Sequence, residues 1–330
     1  MFVSPGPINT IGSQLNRPEC VLAHGSGYLF TSDWSGQGGV SVIAPNGDTH
    51  RILADYPSRI KPNGIALRQN GTFLLAHLGD DKGGVFEMDH MGNTTPFMTE
   101  LNGQVLPPTN FVVEDVEDRS WITVSTRQIP RAAAYRYDVS DGFILMQQGG
   151  TTRIAADGLG YTNECLLSQD GSTLFVNETF GRRLSAYSVN RNHTLGPRRT
   201  VAVFGAGTFP DGLCQDEDGN LWITSIVSNR VIKVTLGGEI QTLIEDVDPE
   251  HVDIVESAYQ EHSMGRPHLD QVRSSTLRNI SSLAFGGADR RTGYLGCLLG
   301  ESIYSVSLPE TGARPFHWDA DISRIAQSVS

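Results

Sequence analysis

Apolar residues in this chain come in short runs: YLFTSDW (28–34), TFLLAHL (72–78), SWITVST (120–126), TLFVNET (173–179), LWITSIV (221–227) and GYLGCLL (293–299). Each follows a turn dipeptide, and seven positions before each turn stands one marked residue. The pairs are Glu19 before Ser26-Gly27, Asn63 before Asn70-Gly71, Asn110 before Glu117-Asp118, Asn163 before Asp170-Gly171, Asp211 before Asp218-Gly219, and Ser281 before Ala288-Asp289. A short apolar strand starts at each mark, as in Asn63-Gly64-Ile65-Ala66 and Asp211-Gly212-Leu213-Cys214. Two more strands follow as a hairpin, as in VSVIAPNGDTHRILA (40–54) with its Asn46-Gly47 turn. Four antiparallel strands per unit, six times over, predict an all-β fold: a six-bladed β-propeller forming one domain over residues 1–330.

Successive marks lie 44, 47, 53, 48 and 70 residues apart, and the first four intervals suit a four-stranded blade. The last carries an insertion at about 248–279. Within it Glu250–Glu261 is predicted helical, because Val252, Val255 and Tyr259 fall at i, i+3 and i+7. Loops inserted in a scaffold of this kind gather function. His251, His262, Arg266 and His268 put four reactive groups in this one, so it is expected to act as a lid.

Composition adds exclusions. Glycine at 36 of 330 residues suits many tight turns, and 38% hydrophobic residues suffice for a sizeable core. A net charge of −12 with a pI near 5.1 speaks against nucleic-acid and anionic-membrane partners, leaving a small molecule as the expected one. No run approaches the roughly 18 apolar residues of a membrane span. The start MFVSPGPINTIGSQLN lacks the basic and apolar segments of a signal peptide, so a cytoplasmic location is expected. Cys20, Cys165, Cys214 and Cys297 show no CxxC spacing and read as small buried hydrophobes. There is no Gly-x-Ser-x-Gly elbow, P-loop or dinucleotide fingerprint; the glycine-rich GGADRRTG (286–293) reads as a blade turn.

In a propeller the first strand of each blade lines the central channel, so the marked side chains converge there. Glu19, Asn163 and Asp211 then supply two carboxylates and an amide oxygen, a set that suits one hard divalent cation. Ca²⁺ fits best, with Mg²⁺, Mn²⁺ and Zn²⁺ as alternatives. For an Asn or Asp alone, capping of a tight turn is an equal reading. Glutamate has no such turn habit, and a carboxylate facing a channel needs a cation or a solvent partner.

Pro18-Glu19, Pro62-Asn63-Gly64, Asn163 before SQDGSTLFVNET, Pro210-Asp211-Gly212-Leu213 before DEDGNLWITS, and SSLAFGG (281–287) together resemble the senescence marker protein/gluconolactonase/luciferin-regenerating enzyme family, over essentially the whole chain. The resemblance implies a six-bladed propeller binding one divalent metal through Glu19, Asn163 and Asp211. It places Asn110 against the substrate, gives Asn63 a secondary role there, and implies lactone hydrolysis with Asp211 transferring the proton. Three departures matter. Where the family reads Arg-x-Asn-Asp, this chain has Pro108-Thr109-Asn110-Phe111, so a plain aldonolactone is not the expected substrate. Glu164 stands where a glycine is usual and, with His268, is a rival catalytic acid-base group. Arg127, just after SWITVST, is either an anion grip for substrate or a surface salt-bridge residue. Rival readings are phosphotriester hydrolysis or non-hydrolytic ring opening on the same cup, and a non-catalytic metal-stabilised binding propeller.

Overall fold

The computed structural model describes residues 6–271 and 273–329. Six four-stranded antiparallel sheets form the blades of a propeller. The innermost strands are Val21–Ala23, Pro62–Leu67, Thr109–Glu114, Thr162–Leu167, Thr208–Gln215 and Ile280–Gly286. Consecutive strands pair outward within each of the first five blades. The sixth takes its outermost strand from the other end of the chain: Asn9–Ile11 pairs with Ile303–Ser307 and closes the ring. The apolar runs are the second strands, buried on both faces between neighbouring blades, which is why they read as continuous rather than alternating.

The turn residues brace this core. Asp115 Oδ2 accepts from Trp121 Nε1 at 2.8 Å, and Asp216 Oδ2 accepts from Trp222 Nε1 at 2.9 Å, so both fully buried indoles are satisfied. The thiols of Cys20, Cys165, Cys214 and Cys297 are free. Among the described residues no helix is long and apolar enough to cross a membrane.

The insertion forms helix α1 (Pro249–Gln260) and the short helix α2 (Arg266–Asp270). Asp248 caps α1 by accepting from His251 N at 3.2 Å, and Pro249 occupies the first turn, where no N–H is needed. The buried face is His251, Val255, Ala258 and Tyr259, while Val252 is only partly covered. Arg182 fastens α1 to the fourth blade. Its guanidinium makes a bidentate pair with Glu256 (3.0 and 2.6 Å) and lies between the rings of Phe209 and Tyr259.

Two further features carry no periodic signal in the sequence. A hairpin of Glu100–Leu101 and Gln104–Val105 extends the second blade's exit, and a 3-10 turn at Arg131–Ala134 sits in the loop between the second and third strands of the third blade.

Candidate functional site at the propeller axis

The marked residues do not sit in regular strand. The ladder between first and second strands breaks register at five of them: between Pro62 and Ile65, Thr109 and Phe111, Thr162 and Cys165, Pro210 and Leu213, and Ile280 and Ser282. Such bulges re-aim a side chain and strengthen local twist. In the first blade, Glu19 precedes the strand, and Ser32 Oγ accepts its N–H at 3.2 Å in place of a ladder partner. Simple strand alternation from the mark therefore does not hold at the site. Glycine next to the mark serves close approach. A Cβ on Gly212 would lie 2.5 Å from Ser282 Cα, and one on Gly64 would lie 2.7 Å from Phe111 Cα.

Glu19, Asn110, Asn163 and Asp211 line one cavity of about 30 Å³. Asn63 and Ser281 stand in the ring but not in its lining. Asn63 Nδ2 donates to the backbone oxygen of Asn110 at 3.2 Å and to its side-chain oxygen, so it orients Asn110. Ser281 Oγ donates to Glu19 O at 2.8 Å. Thr179 takes the Asn163 Nδ2–H at 2.9 Å and donates to Pro210 O at 2.8 Å, which fixes the amide with its oxygen free. Asn177 Nδ2 donates to Asp211 O and Gly212 O, both at 3.0 Å, and locks the bulge carrying Asp211. Thr179 and Asn177 belong to the TLFVNET run; its polar end is the signal that could have revealed them.

Two carboxylates share this buried space. Burial pushes the Asp211 carboxyl well above the usual carboxylate range, and Glu19 adds to the rise. Glu19 Oε2 is buried without a hydrogen-bond donor. Arg17 Nη2 lies 2.7 Å from it, but its N–H bonds are not aimed at the oxygen, so the contact is an ion pair only. No group of three or more His, Cys, Asp or Glu set to hold a metal occurs among the described residues; this cup has two carboxylates completed by an amide oxygen. An orphaned carboxylate oxygen, a repelled carboxylate partner and an oriented amide oxygen fit a hard divalent cation.

The lining also holds three cations, Arg17, Arg131 and Arg266, and three aromatics, Tyr135, Tyr161 and Phe180, with Thr179 and aliphatic side chains completing it. The 3-10 turn brings Arg131, and α2 brings Arg266 and Leu269. The Tyr135 and Phe180 rings stack at 4.6 Å, and Tyr161 meets Phe180 edge-on at 4.7 Å. Burial raises the Tyr135 hydroxyl, but Arg131 and Arg266 outweigh it and hold the group below the ordinary phenol value. Arg17 (φ 57°) and Tyr161 (φ 67°) are both held in the left-handed region, a strain that concentrates at functional sites.

Other sequence-derived candidates are not brought here. Arg127 lies at the surface in a bidentate pair with Asp157 (2.8 and 2.9 Å) and over the Phe143 ring, the salt-bridge alternative of its two readings. His268 Nδ1 accepts from Gly265 N at 3.0 Å, capping α2 rather than facing the cavity. His251 turns to the carbonyl of His268, and His262 packs on Tyr137. Of the four lid groups, Arg266 alone enters the lining. Glu164 faces a second cavity of about 280 Å³ further along the inner strands, where its Oε2 accepts from Leu213 N at 2.8 Å. Burial raises its carboxyl well above the usual range despite that bond.

Six blades closed by a strand from the other chain end, with oxygen-bearing side chains from four inner strands lining one cavity, define a propeller with a central cup. The chain belongs to the SMP-30/Gluconolactonase/LRE-like family, which it matches over residues 17–246. A curated relative, lactonase drp35 of Staphylococcus haemolyticus (strain JCSC1435), is 24% identical over 206 residues, covering 56% of this chain and 57% of its own. The match thus spans little more than half the length of that relative. Two solved structures share the fold. One is a Xanthomonas campestris gluconolactonase (TM-score 0.67, 19% identity, 92% of this chain and 89% of that one). The other is regucalcin, a calcium-binding protein of Agrobacterium tumefaciens (TM-score 0.66, 15% identity, 93% and 98%).

Proposed function

We propose that this protein is a divalent-cation-dependent hydrolase that opens a lactone or related cyclic ester. The observation that carries this is the convergence of Glu19, Asn163 and Asp211 oxygens beside Asn110 in one buried cavity. Family membership and the lactonase relative support the reaction type. The calcium-binding neighbour supports Ca²⁺. Glu19, Asn163 and Asp211 would hold the ion. When bound, it supplies a Lewis acid for the substrate carbonyl and a water of lowered pKa.

The chain's own residues supply the rest. Asp211, the group to which the family resemblance gives the proton transfer, takes a proton from the attacking water as the new C–O bond forms. The ring C–O bond then breaks, and the departing oxygen takes a proton from the Tyr135 hydroxyl, held below its ordinary value by Arg131 and Arg266. The product is a hydroxy acid, and solvent restores Tyr135 and Asp211. Asn110, pinned by Asn63 and by its own Nδ2–H to Thr162 O at 3.3 Å, orients the substrate. Phe180 and the two tyrosines restrict water to the cavity.

A lactone panel assayed with Ca²⁺, Mg²⁺, Mn²⁺ or Zn²⁺, and after chelation, tests this. Turnover should require the ion, and Asp211→Ala should lower kcat by about 10²–10⁴-fold, the usual worth of a positioned base. Hydrolysis untouched by chelation or by Asp211→Ala overturns the mechanism. Absence of turnover with every metal favours a binding propeller instead.

A further inference from the structure

The cavity holds more positive charge than its carboxylates balance. Glu19 and Asp211 face three guanidiniums, Arg17, Arg131 and Arg266. Arg266 has its own counter-ion, with Nη2 2.5 Å from Asp270 Oδ1. Arg17 has Glu19 as its one counter-ion among the described residues and lies 4.6 Å from the centre of the Trp34 ring, while its buried Nε has no hydrogen-bond partner. Arg131 forms no ion pair among the described residues. Burial works against its charge, yet the neighbouring Tyr161, Tyr135, Glu19 and Asp211 stabilise it. A cation in the cup would claim both carboxylates and leave Arg17 and Arg131 uncompensated. Both are only partly exposed, and an unpaired charge even partly withdrawn from water is costly. An arrangement of this kind is balanced only when something anionic enters.

We infer that the substrate is itself an anion: a lactone bearing a free carboxylate, gripped by Arg131 together with Arg17 beside the cup. The reading rests on the proposed hydrolase and names its substrate class. A guanidinium offers two parallel N–H donors at the spacing of carboxylate oxygens, so a planar carboxylate is matched in charge and shape. The placement follows from the fold. Arg131 rides on the 3-10 turn of the third blade, while Arg17 precedes Glu19 in the first. Arg17 Nη2 lies 2.7 Å from Glu19 Oε2, so the substrate carboxylate would seat directly beside the cup, with Arg131 supplied from the third blade. Arg266 arrives on α2, the inserted element, where Asp270 already compensates its charge. A cavity of about 30 Å³ has room for roughly one water, so a substrate needs α2 or the 3-10 turn displaced first.

The test compares 5-oxotetrahydrofuran-2-carboxylate with its methyl ester, in the cation-loaded full-length protein. Wild type should favour the acid by at least tenfold in kcat/KM. That preference should collapse toward unity in Arg131→Gln, through KM, and return in part in Arg131→Lys. Non-hydrolysable tetrahydrofuran-2-carboxylate gives an independent readout. Calorimetry and thermal shift should register its binding to wild type and at least a tenfold loss in Arg131→Gln. Equal turnover of acid and ester, or a preference that survives Arg131→Gln, overturns the inference while leaving the hydrolase standing. Binding of the analogue without turnover of any lactone keeps the anion site and sinks the hydrolase. If Arg131→Gln does not fold, Arg131→Met replaces it: at least a tenfold loss of analogue binding supports the grip, and undiminished binding overturns it.

Discussion

Thr179 accepts one hydrogen of the Asn163 amide and donates its own hydrogen bond to Pro210 O, and the Asn163 side chain also hydrogen-bonds the Asp211 carboxyl, so the hydroxyl helps set the orientation of the amide. Partners of this kind orient a ligand and typically contribute 10- to 100-fold in metal affinity. Thr179→Val keeps the shape and removes the acceptor. We expect it to weaken cation binding by about one to two orders of magnitude, measured by calorimetry, with Thr179→Ser restoring most of the affinity. Unchanged affinity in Thr179→Val would remove Asn163 from the ligand set. At this scale the sequence was legible where residue type and register spoke together: the oxygen-bearing marks at Glu19, Asn110, Asn163 and Asp211 do meet in one cavity. It named Arg266 in the insertion but was silent on Arg17 and Arg131. Arg127 and Arg131 are four residues apart, and only the course of an aperiodic loop sends one to Asp157 and the other to the cavity.

Elements place these side chains through irregularity. The strand patterns predicted the blades, but nothing in them marks a bulge except the glycine beside Asn63 and Asp211. Gly212 is the sharper case, because the atoms a Cβ would meet, Ser282 Cα and Ser281 O, are backbone and cannot rotate away. Gly212→Ala should destabilise the fold by about 1–3 kcal/mol in denaturant titration, the usual range for overpacking. Full stability would mean that the fifth and sixth blades separate more readily than their contact implies. The inserted helix was legible from its apolar spacing, whereas its function was not, since His251 and His268 serve the insertion's own packing. What holds α1 down is the pair between Arg182 and Glu256. Burial raises the Glu256 carboxyl, but hydrogen bonds from Arg182, Gln260 and Gly207 outweigh it and bring it to about 2. A depressed carboxylate contributes its stability above the ordinary glutamate value and loses it as pH falls toward the folded value. Docking of α1 should thus be level from pH 8 to about 5 and weaken below about 4. Glu256→Gln should show the loosened state already at neutral pH, read as faster hydrogen exchange over 249–270. Equal protection in wild type and variant would reassign the anchor to Tyr259, whose hydroxyl donates to Phe180 O at 2.6 Å.

At the scale of the whole ring, the cup depends on a seam between the two ends of the chain. Glu19 sits in the first blade, yet its carbonyl is held by Ser281 of the sixth. Two residues on, Val21 N donates to Ser282 Oγ at 3.0 Å, and Cys297 N donates to Pro18 O at 2.8 Å. This explains why the sixth mark is a serine: its short hydroxyl closes the ring across the seam, where a longer acid would intrude on Glu19. The marks already differ in residue type along the sequence, and the closure adds an inequality of connectivity that no single unit carries. The seam also makes ring integrity and site integrity one quantity. Ser282→Ala would strand the buried N–H of Val21, a loss of about 1–3 kcal/mol. Because Val21 follows Glu19 so closely, cation affinity should fall together with the denaturation midpoint. Removing residues through Ile11 is the stronger perturbation. It leaves Ile303–Ser307 as an unpaired edge, which invites association between copies. The truncated chain should lose thermal stability, bind the cation weakly and scatter light at concentrations where the full chain does not. A truncated chain that stays monodisperse with undiminished cation affinity would show that the blades hold the cup without the strand that closes them.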